Sequence, residues 1–316
     1  MPEQRALIIR VLGSAAGGGL PQWNCRGTNS ELARHEPAKA IPRTQSSLAV
    51  SADGQSWVLL NASPDLREQI GRTPALQPDP TGELRNSPIN AVVLTNADVD
   101  HIAGLLTLRE GHPFTIHATS RVLEVLAANP VFNVLDPRMV PRLAMQLNEW
   151  VPVTKPCRQG FGQLTIRPFA VPGKIALYLE DTSAGPGLGT REGDMIGLEV
   201  SDGNARFHFI PGCAEVDADL SRRLRQTSLL FFDGTLFSDD EMLTQGLSQK
   251  TGRRMGHISM SGPGGSLAAL GALDIDRRVY IHINNSNPVL REGSPERAEV
   301  ERQGWEIAFD GMELRL

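Results

Sequence analysis

The sequence is poor in cysteine and in aromatic residues. It contains three cysteines and 5% Phe, Trp and Tyr among 316 residues. Three scattered thiols, Cys25, Cys157 and Cys213, are too few for the disulfide framework that stabilises small secreted domains. We therefore expect reduced thiols and a cytoplasmic protein.

The sequence also lacks a strong excess of one charge and any long apolar run. With 31 basic and 36 acidic side chains, the net charge of −5 gives no reason to expect nucleic acid or an anionic membrane as a partner. No apolar run approaches the roughly 20 residues of a membrane-spanning helix. The first residues lead into the apolar segment Leu7–Leu12 without the features of a signal peptide. These absences favour an enzyme-like protein that stays in the cytoplasm.

Nucleotide-binding motifs are missing as well. The glycine-rich segment Gly13–Gly19 has neither a Gly-Lys-Ser/Thr ending nor the Gly-x-Gly-x-x-Gly spacing. We expect it to allow close backbone packing near a site. A second glycine-rich segment, Asp181–Asp194, is either a mobile lid or a hairpin tip, and the proline-rich segment Arg72–Ser87 is expected to lie on the surface.

Apolar runs of strand length alternate with segments of helical pattern, which indicates an α/β or α+β fold. No linker-like segment divides the chain, so we expect a single domain over residues 1–316. Strands are predicted at Leu7–Leu12, Ser47–Val50, Trp57–Leu60, Ala91–Thr95, Phe114–His117, Leu164–Ala170, Ile175–Leu179, Ile196–Val200, Phe207–Ile210, Leu229–Asp233, Arg278–Ile283 and Trp305–Phe309. Helices are predicted at Ile102–Arg109, Ser120–Ala128, Val216–Arg225, Asp239–Gln245, Gly264–Leu270 and Pro295–Arg302, the last with Ser294 as its N-cap.

One short loop concentrates groups that bind metals. The apolar run Ala91–Leu94 leads to Asn96, Asp98, Asp100 and His101. Oxygen donors that alternate along an extended segment point to one side, where an imidazole at the start of the next helix can meet them. Helix capping by one aspartate is the structural alternative, but it does not account for all four polar residues. The loop therefore predicts part of a metal site.

Two further candidate ligands stand at the ends of downstream apolar runs. The run Leu229–Phe232 ends at Asp233, and Val279–Ile281 ends at His282. Taken alone, each has an ordinary explanation, since Asp-Gly forms turns and a lone histidine is usually hydrogen-bonded. Their common position at strand ends, where sites of layered α/β folds are built, favours a role in the same site.

His257 lies in the segment Gly256–Ser259 and is a candidate for acid/base chemistry or for orienting a substrate. The structural alternative is that its imidazole caps or orients the helix starting near Ser261. The other histidines show no partner pattern.

These motifs resemble a known superfamily. The pattern Asn-x-Asp-x-Asp-His at 96–101 is similar to the His-x-His-x-Asp-His signature of the metallo-β-lactamase superfamily. Asp233 and His282 match its later Asp and His, and Asn61–Asp65 lies where its first Asp motif occurs. Longer segments, 13–24, 231–237, 255–263 and 282–288, resemble the B-protein family of pyrroloquinoline quinone (PQQ) biosynthesis over nearly the whole chain. The resemblance implies a four-layer αββα sandwich.

The ligand pattern departs from that of the dinuclear hydrolases in this superfamily. Their first metal is held by the two leading histidines and a third from a middle loop, whereas this chain has Asn96 and Asp98, and the segment 170–174 has no histidine. The second set is intact, and it consists of Asp100, His101, Asp233 and His282. Two imidazoles with carboxylate oxygens suit Fe(II), which we favour, and also zinc. We expect one transition metal, with Asn96, Asp98 and His257 as catalytic residues.

The chain also departs from the B-protein family at its cysteines. Related proteins carry a Cys-x-Cys-x-x-Cys cluster that resembles a structural zinc site. Here only Cys25 remains, because Gly27 and Ser30 occupy the other two positions. We therefore expect no structural zinc at Cys25.

The resemblance implies a function in PQQ biosynthesis. The family's members are regarded as iron- and O2-dependent hydroxylases of the tyrosine ring in a Glu-Tyr cross-linked precursor. A carrier that transports PQQ or its precursor towards the periplasm is the alternative, and a metal-dependent hydrolase is the second. The implied partners are the amino-acid-derived precursor, O2 and other PQQ-biosynthesis proteins. The sequence leaves the oligomeric state open, and a homodimer is compatible with it.

Overall fold

The structure is a computed structural model that describes residues 6–154, 163–179 and 193–316. Within these ranges the strands form two seven-stranded sheets. The strands are β1 (Ile8–Gly13), β2 (Ser47–Ser51), β3 (Trp57–Leu60), β4 (Ile89–Val93), β5 (Thr115–Ala118), β6 (Arg142–Ala144), β7 (Val151–Pro152), β8 (Thr165–Ala170), β9 (Ile196–Ser201), β10 (Arg206–Ile210), β11 (Thr227–Asp233), β12 (Ile275–Ile281), β13 (Trp305–Ile307) and β14 (Glu313–Arg315).

The helices connect the strands and cover the sheets. They are α1 (Thr28–His35), α2 (Leu66–Arg72), α3 (Val99–Ile102), α4 (Ser120–Ala128), α5 (Ala218–Arg223), α6 (Glu241–Thr244), α7 (Gly252–Met255), α8 (Ser266–Gly271) and α9 (Pro295–Arg302). Short 3-10 turns add to them at Pro74–Leu76, Ala103–Leu108, Pro130–Val134, Leu177–Leu179 and Pro288–Leu290.

Each sheet mixes parallel and antiparallel pairs. The first sheet has the strand order β14-β1-β2-β3-β4-β5-β6, and the second has β13-β12-β11-β10-β9-β8-β7. The strands β3 to β6 pair in parallel in the first sheet, as do β10 to β13 in the second. Parallel neighbours place their carboxyl ends at one edge, which is where loops of such sheets build sites.

Alternating side chains of each strand enter different cores. In β3, Val58 and Leu60 face the central core between the two sheets, whereas Trp57 and Leu59 face an outer core. Because successive side chains of a strand point to opposite faces, a strand buried on both faces is apolar throughout. This explains why the four residues of β3 are all buried.

Three apolar cores result from this alternation. The central core contains side chains of both sheets, including Phe231 of β11. One outer core packs the first sheet against α4, and the other packs Leu230 and Phe232 of β11 against α8 and α9. The order helix, sheet, sheet, helix is the αββα sandwich expected from the resemblance, and that expectation is confirmed.

Several predicted elements differ from the observed ones. The strand predicted at Ile175–Leu179 is wrong, because Leu177–Leu179 forms a 3-10 turn and pairs with no described strand. The helix predicted at Ile102–Arg109 begins earlier, at Val99, and continues as a 3-10 helix over Ala103–Leu108. The change follows from Gly104, whose N–H donates to Ala62 O at 2.9 Å outside the helix. Helices α1, α2 and α7 were not predicted.

Other predictions agree with the structure or lie outside it. Helix α9 begins at Pro295, and the Ser294 hydroxyl accepts from Arg297 N as its N-cap. The segment 77–85 is exposed, as expected. Cys157 and residues 181–192 of the glycine-rich segment lie outside the described residues. In the part of the chain that the structure describes, no helix has the length and apolar character needed to cross a membrane.

Candidate metal centre

The site forms where strands of both sheets end. Strand β11 ends at Asp233, which pairs in register with Ile281, the last residue of the parallel neighbour β12, so that His282 follows directly. The loop after β4 approaches from the first sheet, and its Thr95 carbonyl accepts a hydrogen bond from Ile196 N of the second sheet at 3.0 Å. The two sheets are therefore joined at the edge that carries the candidate ligands.

A first group of donors consists of Asp100, His101 and His282. One ligand atom from each lies within 4.8 Å of the others. His282 Nε2 is 3.0 Å from Asp100 Oδ2, and His101 Nε2 is 3.9 Å from the same oxygen. The two imidazole rings meet edge to face, with centroids 5.3 Å apart. Residues separated by up to 182 positions in the chain thus form one donor set.

A second group consists of Asp233, His257 and His282, again within 4.8 Å. His257 Nδ1 lies 2.7 Å from Asp233 Oδ2, and its ring stacks on that of His282 with centroids 5.4 Å apart. The sequence analysis predicted Asp233 as a metal ligand and His257 as a catalytic residue. In the structure both side chains lie next to His282, and either could serve as a ligand. The alternative role of His257 is wrong, because α8 begins at Ser266 with Gly265 at the cap position.

The protonation of His101 is determined by a chain of polar contacts. Asn96 Nδ2 donates to Asp98 Oδ2 at 2.8 Å, and Asn96 Oδ1 lies 2.5 Å from His101 Nδ1. Because a carboxylate only accepts, the Asn96 amide must turn its oxygen towards His101, whose Nδ1 must then carry the proton. His101 Nε2 is left with a free lone pair, and this nitrogen is buried without a hydrogen-bond partner. That is the form in which imidazole binds a metal.

Burial supports the same protonation state. Desolvation lowers the pKa of His101 to about 4, despite the opposing charge of Asp100, so the imidazole is neutral at neutral pH. Burial and the neighbouring charge of Asp100 raise the pKa of Asp98 to about 6. Asp98 occupies the N-cap position of α3, yet its side chain makes no capping bond. The capping interpretation of Asp98 is therefore wrong.

The other acidic groups are held in their charged form. Burial alone would raise the pKa of Asp100, but electrostatic interaction with the His101 and His282 side chains and a hydrogen bond from His282 outweigh burial and lower it. Asp233 follows the same pattern, because His257 lowers its pKa against the effect of burial. Burial would lower the pKa of His257, but Asp233 prevails and raises it. Asp233 and His257 thus form a hydrogen-bonded, largely buried pair next to the first donor group.

Thr235 was not predicted as a site residue, although it orders the second donor group. Its hydroxyl is 2.6 Å from Asp233 Oδ1, 2.9 Å from His282 Nδ1 and 3.1 Å from His257 Nδ1. The backbone N–H of Cys213 donates to Asp233 Oδ2 at 2.9 Å. The sequence Asp-Gly-Thr could have indicated Thr235, since a hydroxyl two residues after a ligand readily bonds to it.

Close backbone packing and an unusual backbone angle position the ligands. A Cβ placed on Gly17 would lie 3.5 Å from Asp100 Oδ2, so the glycine-rich segment does pack near the site. His282 has φ +58°, in the left-handed region that non-glycine residues seldom adopt.

Asn61, before α2, also has a positive φ, and its side-chain oxygen accepts a hydrogen bond from Thr95 N. Asp65 lies apart from the donors and accepts from Gln45.

The loop that contains Cys25 is held by hydrogen bonds. Cys25 Sγ accepts from Gly27 N at 3.2 Å and lies 3.7 Å from Asn285 Oδ1. The Arg34 guanidinium donates to the carbonyls of Cys25 and Gln22. These contacts stabilise the loop, which contains one cysteine. The candidate metal-binding groups found in the described part of the chain contain no cysteine.

Comparison with known proteins identifies the family. Residues 56–283 match the family described as the Beta-lactamase superfamily domain. Coenzyme PQQ synthesis protein B of Xanthomonas campestris pv. campestris (strain B100) is 52% identical over 308 residues, covering 98% of this chain and 99% of the relative. The protein of the same name from Rhizobium meliloti (strain 1021) is 51% identical over 316 residues, with full coverage of both chains. The chain therefore belongs to the coenzyme PQQ synthesis protein B family.

Solved structures agree with this assignment. The crystal structure of Zn(2+)-bound PqqB from Methylobacterium extorquens has a TM-score of 0.92 and 50% identity, covering 98% of this chain and 100% of that one. A diphosphatase from the PhnP family has a TM-score of 0.69 at 20% identity, covering 98% and 97% of the two chains, and shares the fold. Membership of the PQQ synthesis protein B family confirms the resemblance found in the sequence and assigns the chain to cofactor biosynthesis.

Proposed function

We propose that this chain hydroxylates the tyrosine ring of the Glu-Tyr cross-linked PQQ precursor, using one Fe(II) and O2. The observation that carries the proposal is the donor set of Asp100, His101 and His282, combined with the amide and carboxylate of Asn96 and Asp98 where dinuclear hydrolases have imidazoles. Two imidazoles and one carboxylate are the donor set of mononuclear non-haem iron oxygenases.

The side chains present fit such a metal. The Nε2 atom of His101 is buried, deprotonated and without a partner, which is a costly arrangement unless a cation binds there. Bound Fe(II) would supply the activation of O2 that ring hydroxylation requires. The related structure from Methylobacterium extorquens is described as Zn(2+)-bound, which supports metal binding in this family, and both the position of the metal and the preference for iron are our proposal.

The surrounding side chains hold the substrate and move protons. His257 Nδ1 is engaged by Asp233, which leaves Nε2 to exchange a proton with the phenol of the substrate. Asp233 raises the pKa of His257 by its charge and hydrogen bond and fixes the orientation of the ring. In the overall reaction one oxygen atom of O2 is inserted into a ring C–H bond to give the hydroxyl group, and the other becomes water with two electrons from an added reductant and two protons from solvent. The precursor and O2 are thus the proposed partners, and the cytoplasm is the proposed location.

The test is anaerobic reconstitution with Fe(II), followed by isotopically labelled O2, reductant and the Glu-Tyr cross-linked amino acid. We expect labelled oxygen in the tyrosine-derived ring, detected by mass spectrometry. His257→Gln should retain iron and lose rate, whereas His35→Ala, an exposed histidine outside the site, should match the parent. Unoxidised substrate with the iron form, together with tight PQQ binding by metal-free protein, would replace the hydroxylase with the carrier.

A metal-dependent hydrolase is the second candidate, because Asp233, His257 and His282 form a second donor group beside the first. A two-metal centre clamps both oxygens of a displacement, as in phosphoester hydrolysis. Metal analysis separates the candidates: we expect one tightly held metal per chain, and two would favour the hydrolase.

A further inference from the structure

Two cavities share Arg253 as a lining residue, and the smaller one is also lined by His257. The smaller has a volume of about 400 Å³ and is lined by His257, Asp239 and the glycine-rich turn 262–265. The larger, of about 1150 Å³, extends along the loop 170–173 and α5. Arg253 lines both cavities and therefore stands at their junction. Small-molecule sites commonly measure roughly 300–1,000 Å³, so the smaller cavity suits a ligand of two amino-acid residues.

The guanidinium of Arg253 is exposed, and among the described residues it has no hydrogen-bond or ion-pair partner. The other arginines of the larger cavity are engaged. Arg167 pairs with Glu199, Arg222 with Asp219, and Arg223 bonds Asn148 and covers the ring of Phe169. An arginine without a partner at a cavity junction is available to an anionic ligand.

Backbone hydrogen bonds also hold the main chain of Arg253 in place near His257. Its N–H donates to Asp239 Oδ1 at 2.7 Å, and the Thr251 hydroxyl caps the same short helix, α7. Helix α7 ends at Met255, the C-cap residue Gly256 has φ +88° and lies against Lys174, and His257 follows at once. The arginine and the imidazole are thus presented by one rigid turn of the chain.

We propose that Arg253 binds a carboxylate of the substrate and thereby places the substrate ring at His257. The inference rests on the proposed function, because a cross-linked Glu-Tyr amino acid carries carboxylates. Arginine binds a carboxylate through two parallel hydrogen bonds, which fixes the orientation of the ligand as well as its charge. Apart from His257, the charged side chains that line the smaller cavity are Arg253 and Asp239, and Asp239 Oδ1 already accepts a hydrogen bond from Arg253 N at 2.7 Å.

The experiment measures binding without turnover. The zinc-loaded protein is titrated calorimetrically with the Glu-Tyr cross-linked amino acid and with an analogue whose carboxylates are carboxamides. We expect the parent to bind the carboxylate form roughly ten- to a hundredfold more tightly, which corresponds to one charge-assisted hydrogen-bonded pair. Arg253→Ala should lose this preference, and Arg253→Lys should keep part of it with a steeper dependence on salt.

Arg222→Ala is the matched control, because Arg222 is an exposed arginine of the larger cavity that pairs with Asp219. It should bind both ligands as the parent does. Full carboxylate preference in Arg253→Ala would overturn the role of Arg253, even if the iron form hydroxylates the substrate. Arg253-dependent binding without any oxidation by the iron form would remove the hydroxylase and leave this site in place. A parent protein that binds neither ligand would overturn both.

Discussion

A single amide determines which nitrogen of His101 faces the metal position. Asn96 contacts Asp98 through its nitrogen and His101 through its oxygen, so its orientation fixes the imidazole tautomer. In dinuclear relatives a histidine stands at this point of the motif. The substitution therefore converts a ligand position into one that orients a ligand, which is a change of role and not only a loss.

Replacing Asn96 should weaken metal binding without removing a ligand. We expect Asn96→Ala to lower zinc affinity roughly tenfold to a hundredfold, because partners that orient ligating histidines contribute about that much. Competition with a chromophoric chelator measures the affinity. Asn90→Ala, an exposed position on β4, should bind as the parent does. Equal affinity in both variants would show that the tautomer of His101 is not set by Asn96.

His282 should be indispensable for metal, since it belongs to both donor groups. We expect His282→Ala to retain no stoichiometric metal after desalting, measured by elemental analysis. His257→Ala leaves Asp100, His101 and His282 and should hold one metal with a reduced rate. Stoichiometric metal in His282→Ala would contradict the assignment.

Glu241 should make the free energy of unfolding depend on pH. It is buried, accepts from Phe237 N and Ser286 Oγ, and burial raises its pKa from 4.5 to about 7. Above pH 4.5 the unfolded chain ionises while the folded chain stays protonated, so the free energy of unfolding falls as pH rises towards 7 and then levels off. The shift corresponds to a loss on the order of 3 kcal/mol.

Urea unfolding of metal-free protein at pH 5 and pH 8 measures this loss. Glu241→Gln, which cannot ionise, should be less sensitive to pH by about that amount, and Glu241→Gln should exceed the parent in stability at pH 8. An unchanged pH dependence in the variant would assign the effect to another group.

At the scale of elements, the helix after the metal-binding loop packs directly on the chain before α2. A Cβ on Gly104 would lie 2.1 Å from Ser63 O and 2.8 Å from Ala62 O, and backbone atoms cannot move aside cheaply. We expect Gly104→Ala to reduce the free energy of unfolding by roughly 1–3 kcal/mol through overpacking, measured by urea unfolding.

Gly71, near the end of α2, provides the matched control. A Cβ there meets nothing within 4 Å, so Gly71→Ala should stabilise the protein by roughly 0.5–1 kcal/mol through lower backbone entropy. Similar effects of the two substitutions would mean that the contact between the 3-10 helix Ala103–Leu108 and the segment 61–63 adjusts readily.

Elements with clear local signals could be predicted from the sequence. Helix α9 has a serine N-cap and a proline at its first position, and strand β3 is apolar on both faces. The failure at Ile175–Leu179 has a physical cause, because a short apolar run does not distinguish a strand from a turn that packs against the site. Tyr178 of that turn donates to Ala97 O at 2.6 Å, a contact that no local pattern indicates.

At the scale of the whole molecule, Asp233 and His282 were predicted as ligands because they stand at the ends of strands, and Asp100 and His101 because polar groups are concentrated in the loop after β4. Whether these side chains meet depends on the order of the strands in the sheets. The family resemblance predicted the four-layer fold, whereas the periodicity of apolar residues predicted only the fold class. Thr235 and Arg253 were not predicted, because no local sequence pattern indicates their roles. Their importance lies in contacts made across the fold, between segments that the sequence keeps apart.

The central core includes side chains from both sheets, which predicts that the chain unfolds as one unit. Trp57 reports on the first sheet and Trp305 on the second, and both are buried. In metal-free variants that keep only one of these tryptophans, we expect the fluorescence and far-UV circular dichroism midpoints to coincide. A separate transition for either tryptophan would divide the predicted single domain of residues 1–316 into two.

The left-handed backbone of His282 also limits how this site can evolve. Only glycine, and to a lesser degree Asn, Asp and His, accept that conformation without a large cost. Of these residues, only aspartate would offer an anionic oxygen ligand in place of the imidazole nitrogen and also fit the backbone conformation. Mutational drift at this position therefore leads most easily from imidazole to carboxylate, and along that route the centre would come to prefer harder cations such as manganese or magnesium.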